Sequence, residues 1–452
     1  GSVCEAVDRV MSGDFRNAFC AVRPPGHHAG PRGIVRCPND PEGSHGFCLL
    51  NNVAIGAAYA RSMYRNDGIK KVAIIDFDVH HGNGTEEIIR QLMPNVERAN
   101  VRMSFASGQF ETSHYRPWLD ETDIQNVFFA STHGYGPRDL SFADHLQPHQ
   151  GGWFYPASGK TITTAAIRNP SDVETPDLTD FLFSQTWTRM GDESRLNCCN
   201  VINIGLDLPR PNDVPGMQRV ELRDSYRKNI LPHLVEFNPD MIFISAGFDG
   251  HKRDSMNFGY VGMVEEDYEW VTEQLVKVAN KCCNGRIISV LEGGYKIHGG
   301  IVSPFARSVA SHVRALVEGG NSRELYDKEE ADWEGKFERE IVEDRERRRL
   351  FRMEQMSQPI ATGIGEKRRN FASLPSRNGE ESTISGEAID TDAILKEPLS
   401  QYTVEDIHCA SPTKTATGTD KDAPTRKRRR NQVDYKQLLE QLKNQDKHMI
   451  TD

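Results

Sequence analysis

Two carboxylates and two imidazoles crowd the end of an apolar run. In VAIIDFDVHHGNGT, Val72 to Thr85, the residues Asp76, Asp78, His80 and His81 fall within six positions. Such groups are costly to desolvate unless each finds a partner. Either they satisfy one another in a structural network or they hold a metal. In extended backbone, residues i and i+2 point to the same side, so Asp78 and His80 can meet one cation. Three distant segments carry matching chemistry: RPPGHHAG with His27 and His28, SAGFDGH with Asp249, and LEGGY with Tyr295. Asp249 supplies a third ligand. One nitrogen and two carboxylates that leave an open position suit catalytic zinc, although the same oxygen-rich donors accept Fe(II) or Mn(II). Paired imidazoles beside a metal suit general base and general acid, each oriented by a hydrogen-bond partner. Tyr295 follows two glycines, where backbone approaches closely, and its phenol can donate to a developing oxyanion.

Each signal alone is weak. An isolated His-His pair is more often surface or core furniture, Asp-x-His occurs by chance, and Gly-Gly-Tyr is usually a turn. Their common placement beside predicted strands favours a site, because structural networks rarely gather so many titratable groups.

The elements that must position these groups read as an α/β pattern. Strands are expected at Ala18–Val22, Val72–Ile75, Val127–Ala130, Val201–Ile204, Met241–Ser245 and Ile287–Leu291. Helices are expected at Asn52–Tyr64, Val220–Val235, Glu265–Ala279 and Pro304–Val317. Short apolar strands separated by helices predict a mostly parallel sheet covered on both faces. In such sheets ligands bind at the carboxyl ends of the strands, where the four polar clusters fall. Two polar stretches, 93–125 and 132–152, read as long irregular insertions, with His133, His145 and His149 of the second on a solvated loop. The catalytic domain is expected over 1–320 and a helix of alternating charge over 321–356. Residues 357–452 are rich in Ser, Thr, Glu and Gly and read as a largely disordered tail. Within it Val433 to Lys443 has the spacing of a short amphipathic helix.

The chain of 452 residues has a formal net charge of -10, which gives no global case for nucleic-acid binding. No run approaches a membrane span and no signal peptide is visible. Nine cysteines include two adjacent pairs and no CxxC, which favours reduced thiols over a disulfide scaffold or zinc finger. Arg426 to Arg430, an unbroken basic block, is expected to bind a nuclear import receptor rather than to be a bare solvated run or a loose phosphate contact.

Taken together, RPPGHHAG, GFCLLNNVAIGA, IIDFDVHHGNGT, SAGFDGH and LEGGY resemble the zinc-dependent histone deacetylase family, with wording close to its class II branch. The resemblance implies an arginase/deacetylase-like fold and hydrolysis of acetyl-lysine amides. It implies zinc on Asp78, His80 and Asp249, the catalytic pair His27 and His28, Asp76 as partner of His27 and Asn83 as partner of His28. Class I members have Asp at that last position, and an amide cannot stabilise an imidazolium by charge. Tyr295 is implied to hold the oxyanion; some class II members have His there. Gly46 and Phe47 imply one wall of a narrow acyl-lysine channel, and Tyr155, where the family usually has Phe, the other. Asp76 and Ser131 match residues that bind a structural potassium ion in relatives.

Only 26 residues precede His27, whereas family catalytic domains begin much earlier, so an N-terminally truncated domain is expected, with lower stability or activity. FDGHKRD resembles bacterial relatives that act on small acetylated amines. The implied function is deacetylation of histone tails or other acetylated proteins in a nuclear corepressor complex, with shuttling to the cytoplasm allowed. The alternatives are an acetylpolyamine or small-amide deacetylase and a non-catalytic scaffold of the same fold. An arginase-type site is set aside because Gly82 stands where its second bridging Asp belongs.

Overall fold

A computed structural model describes residues 1–93, 96–102, 104–113, 115–139, 152–163 and 200–357. The basic block 426–430, the 357–452 tail beyond its first residue, His145 and His149 lie outside the described residues.

The site rests on one six-stranded sheet. Its strands are β1 (Asn17–Cys20), β4 (Val72–Asp76), β7 (Val127–Gly134), β8 (Asn200–Leu206), β9 (Met241–Ala246) and β10 (Ile287–Leu291). They lie in the order β1-β10-β9-β4-β7-β8, and every neighbouring pair is parallel. Parallel strands need crossovers, and these put helices on both faces. β4 shows the division. Val72 and Ile74 face a core with Val3, Val7, Val53 and Ala57 of helices α1 (Ser2–Met11) and α2 (Asn52–Met63). Ala73 and Ile75 face a second core. Leu222, Leu234, Val271, Leu275 and Leu316 supply it from α5 (Met217–Ser225), α6 (Leu231–Phe237), α7 (Glu265–Cys283) and α8 (Pro304–Ser322).

Most of the expected elements appear with shifted ends. The helix expected at Val220–Val235 begins at Met217 and contains a π-turn, Tyr226–Ile230, between α5 and α6. Tyr226 and Ile230 are fully buried there, so packing overrides regular hydrogen bonding. The stretch 93–125 is not irregular throughout. It contains an antiparallel pair, β5 (Val96–Arg102) with β6 (Ser107–Ser113), and a short helix α4, Asp123–Asn126. The second stretch also begins inside the sheet: β7 runs on to Gly134, and His133 is fully buried rather than on a solvated loop. A small antiparallel ribbon, β2 (Val35–Cys37) with β3 (Asp40–Ser44), and helix α3 (Asn83–Arg90) complete the surroundings of the site. Among the described residues no helix is long and apolar enough to cross a membrane. Cys4, Cys20, Cys37, Cys48, Cys282 and Cys283 are free thiols, as the sequence suggests.

The charged helix, α9 (Lys328–Ser357), is more than a solvated rod. Its first half docks on the π-turn through Arg227, which is 1% exposed. Arg227 pairs with Glu338 at 2.8 Å, Glu334 at 3.1 Å and Asp224 at 3.4 Å, and its guanidinium lies 4.5 Å over the Trp270 ring. Trp270 Nε1 donates to Glu334 at 3.0 Å, and Arg339 pairs with Asp224 at 2.6 Å. The alternation of charge hid this contact, since acidic residues on one face bind a single buried cation. Arg227→Ala should lower stability by about 2–4 kcal/mol, since truncating one member of a buried pair typically costs ~3–5 kcal/mol and these glutamates can partly rehydrate. Urea unfolding measures it; a loss under about 0.5 kcal/mol, within the range of ordinary surface substitutions, would mean that α9 does not depend on the arginine.

Candidate active site and metal centre

β4 and β9 end side by side, with Asp76 in register with Ser245. Beyond Asp76 the chain leaves the sheet, so Asp78, Val79 and His80 form a bend rather than extended strand. The expectation that Asp78 and His80 face the same way holds for a different reason. Asp78 Oδ1 accepts the His80 amide at 2.9 Å, and this local turn brings the two side chains together. Asp249 arrives from the loop after β9, its Oδ1 accepting the Val79 amide at 3.2 Å.

Asp78, His80 and Asp249 are all buried, with one donor atom of each within 4.8 Å of the others. His80 Nδ1 lies 3.1 Å from Asp78 Oδ1 and 3.1 Å from Asp249 Oδ2. Burial and the neighbouring Asp78 push the Asp249 carboxyl up to about 6. Burial works against charge on His80, but the bond to Asp249 outweighs it and lifts the ring to about 9. Two buried carboxylates converging on one imidazole nitrogen form a negative cradle that calls for a cation. Gly293 closes it, donating its amide to Asp78 Oδ2 at 2.8 Å. A Cβ on Gly293 would come within 2.3 Å of Asp249 Oδ2 and 2.5 Å of Asp78 Oδ2, so only glycine fits. The donor set and its amide support fit a zinc ion, with iron the next match.

The histidine pair lies against this cradle. His27 Nδ1 is 2.9 Å from Asp76 Oδ2, and His28 Nδ1 is 2.8 Å from Asn83 Oδ1. The rings are 4.0 Å apart, and His27 Nε2 is 3.7 Å from Asp78 Oδ2. Burial opposes charge on both rings. For His27 the carboxylates of Asp78 and Asp76 win and hold it well above its ordinary range. For His28 burial and the positive neighbours His27 and His80 hold it well below. Adjacent in sequence, the two imidazoles thus occupy opposite electrostatic environments because one faces the carboxylates of Asp78 and Asp76 and the other is buried against two further imidazoles.

Tyr295 stands at the mouth of the recess, its ring 5.9 Å from Phe47 and 5.4 Å from the Arg23 guanidinium. Burial and the nearby Asp249 push its phenol far up, so it is a donor at neutral pH. Tyr155 lines the other side, its ring 5.0 Å from His28. Gly46 lies against the His28 ring. The sequence-expected residues therefore come together. Ser131 is the register neighbour of Asp76 on β7, but its hydroxyl is bonded to His133 Nδ1 at 2.8 Å.

Four positioning residues had no role in the sequence reading, three of them, Glu292, Asp254 and His81, inside the motifs and His133 outside them. Glu292 is fully buried. Its Oε2 accepts the amides of Gly26 at 2.6 Å and His27 at 3.1 Å, pinning the RPPGHH turn to the end of β10. Burial raises its carboxyl to about 7 despite the opposing charge of His27. Asp254 does the same for the other side, its Oδ2 accepting the amides of Tyr295 at 2.7 Å and Lys296 at 2.8 Å. His81 bonds Ser158 at 2.8 Å and pairs with Glu86 at 2.7 Å, while His133 Nε2 bonds Gly159 O at 2.7 Å. Together they hold the segment that carries Tyr155. The only signal in sequence was acidic or imidazole groups inside apolar, glycine-rich wording.

Comparison with known proteins adds an independent line. The family model described as "Histone deacetylase domain" matches residues 1–316. Type-2 histone deacetylase 2 of Dictyostelium discoideum is 36% identical over 318 residues, 70% of this chain and 14% of that protein. Type-2 histone deacetylase 1 of the same organism is 30% identical over 352 residues, 70% of this chain and 19% of that protein. Histone deacetylase clr3 of Schizosaccharomyces pombe is 27% identical over 321 residues, 71% and 32% of the two chains. The chain thus spans a third or less of the length of these relatives. A solved HDA15 HD domain covers 71% of this chain and 61% of its own at 23% identity, and its TM-score of 0.42 is too low to add weight. On the family model and the type-2 relatives, the chain belongs to the histone deacetylase family, as a class II-like catalytic domain.

Proposed function

We propose that this chain is a zinc-dependent deacetylase that hydrolyses the acetamide of acetyl-lysine and releases acetate. The observation that carries the reading is the three-donor cradle of Asp78, His80 and Asp249 beside two imidazoles with different partners. Asp78, His80 and Asp249 would hold the ion, which when bound supplies Lewis acidity for a carbonyl and makes a water more acidic. The rest of the chemistry falls to the chain. Asp76 and Asn83 each fix one ring by its Nδ1, leaving Nε2 of His27 and His28 to handle protons. The pair removes a proton from the attacking water and returns one to the departing lysine amine. Glu292 and Asp254 hold the backbones of His27 and Tyr295, so neither group must be ordered during reaction. The Tyr295 phenol donates to the oxyanion as charge develops there. Phe47 and Tyr155 offer apolar flanks for the lysine stem, at about 0.8 kcal/mol per buried CH₂.

The substrates we propose are acetylated histone tails or other acetylated proteins, reached in the nucleus through the 426–430 import signal and a corepressor complex. The support for location and partners is the basic block in the sequence alone. Asp76 with Ser131 is kept as a proposed potassium site, supported by their register on adjacent strands.

The deciding assay measures acetate release from an acetylated histone-tail peptide and from acetylspermidine, side by side, with zinc present. Peptide turnover is expected. Preference for the polyamine would move the function to small-amide metabolism, and activity on neither would favour a scaffold. Asp249→Ala should abolish turnover and bound zinc alike, read by elemental analysis of the purified protein; full zinc retention would sink this ligand assignment. Tyr295→Phe should keep its zinc and lose about 10²–10³-fold in kcat, the usual cost of one oxyanion donor. A loss under tenfold would remove Tyr295 from that role.

A further inference from the structure

Ser44, the last residue of β3, reaches both sides of the recess with one oxygen. Tyr155 Oη lies 2.7 Å from Ser44 Oγ, and the Gly46 amide donates to the same Oγ at 3.3 Å. Tyr155 forms the flank beside the reacting groups, its ring 5.0 Å from His28 and 6.1 Å from His80. Gly46 leads into Phe47, the opposite flank.

That opposite flank needs an anchor. Phe47 adopts φ +67°, a left-handed backbone that is strained for a non-glycine residue. Its side chain is 61% exposed, so little packing repays the strain. Gly46 packs its backbone directly on the His28 ring, where an added Cβ would come within 2.3 Å, so the turn lies close against the reacting groups. A second link, Asn39 Nδ2 to the Trp153 carbonyl at 3.1 Å, joins the same ribbon to the same segment. The Tyr155 phenol, raised to about 12 by burial, stays protonated and able to bond across the working pH range.

We propose that the Ser44–Tyr155 bond is a tie across the recess that fixes the gap between its two aromatic flanks and so restricts the acyl-lysine substrates accepted. The inference rests on the deacetylase reading for its substrate class. Phenylalanine at 155 would supply the same ring face without the tie. Tyr155 is thus a specificity-determining positioning residue: the tied gap suits a slim methylene stem bearing a small acyl group, and a loosened one admits bulkier groups.

The test is Tyr155→Phe, Ser44→Ala and the double variant in the full chain. For an acetyl-lysine peptide, each single variant should raise KM about three- to tenfold, the scale of one hydrogen bond, with a smaller change in kcat. The preference for acetyl-lysine over butyryl-lysine peptide should shrink in both, and at least as far in Ser44→Ala, which also loses the Gly46 bond. The double variant should be no worse than Ser44→Ala alone, because once Ser44 Oγ is gone Tyr155→Phe has no tie left to remove. Additive losses, or an unchanged acyl preference, overturn the specificity role. A readout independent of turnover is amide hydrogen exchange of residues 44–48 by mass spectrometry. Faster exchange in Tyr155→Phe, which leaves the Ser44–Gly46 bond in place, supports the tie, and unchanged exchange in that variant overturns it. If the unaltered chain turns over neither peptide, the deacetylase reading and the specificity role fall together, and exchange alone decides whether the tie exists.

Discussion

Two carboxylates buried face to face set the terms for everything around them. Asp78 and Asp249 converge on one nitrogen of His80 at the end of a sheet that excludes water. Like charges held this close in low dielectric repel strongly and cannot both be carried without compensation. The fold compensates with backbone amides from Val79, His80 and Gly293, each aimed at a carboxylate oxygen. Those amides are available only because β4, β9 and β10 lie next to one another and end together. The strand order thus has a chemical reason: neighbouring strands deliver the ligands and the amides that hold them.

The same logic extends outward. Glu292 follows β10 and captures the turn that bears His27 and His28, while Asp254 captures the backbone of Tyr295. Each catalytic side chain therefore sits on a loop, yet each loop is fastened by a buried or partly buried acid. Loops give reach, and the acids return the rigidity that loops lack. The surroundings of each histidine then decide its electrostatics. The carboxylates of Asp78 and Asp76 favour the charged ring of His27, and burial beside His27 and His80 favours the neutral ring of His28.

Much of this was legible in the sequence because strands and ligands carry local signals. Val72–Ile75 and Ile287–Leu291 are unbroken β-rich runs, and the polar clusters behind them stand out by contrast. His27, Asn83 and Asp76 could be paired in advance through a family resemblance, and the distances agree. What remained hidden were long-range partners. Nothing near Glu292 names the amides of Gly26 and His27, which lie 266 and 265 residues away. His133 looked solvated because polar wording follows it, but register with β8 carries β7 past it into the core. The dense charge of α9 likewise read as a solvated helix, since a buried Arg227 on another element cannot be seen from either segment alone.

The pairing of β1 with β10 carries a consequence in time. Asn17 lies in register with Ile287, so the edge of the sheet that precedes His27 closes only once Ile287 has been made. A ribosome adds about 5–20 residues each second, and until β10 emerges β1 lacks the one sheet partner it has among the described residues. Contacts so distant in sequence also form slowly once the chain is complete. During synthesis the histidine turn therefore waits for its acid, Glu292, which follows β10. The cradle of Asp78 and Asp249 waits as well, because the Gly293 amide that closes it follows β10, so the two halves of the site come together in one late event.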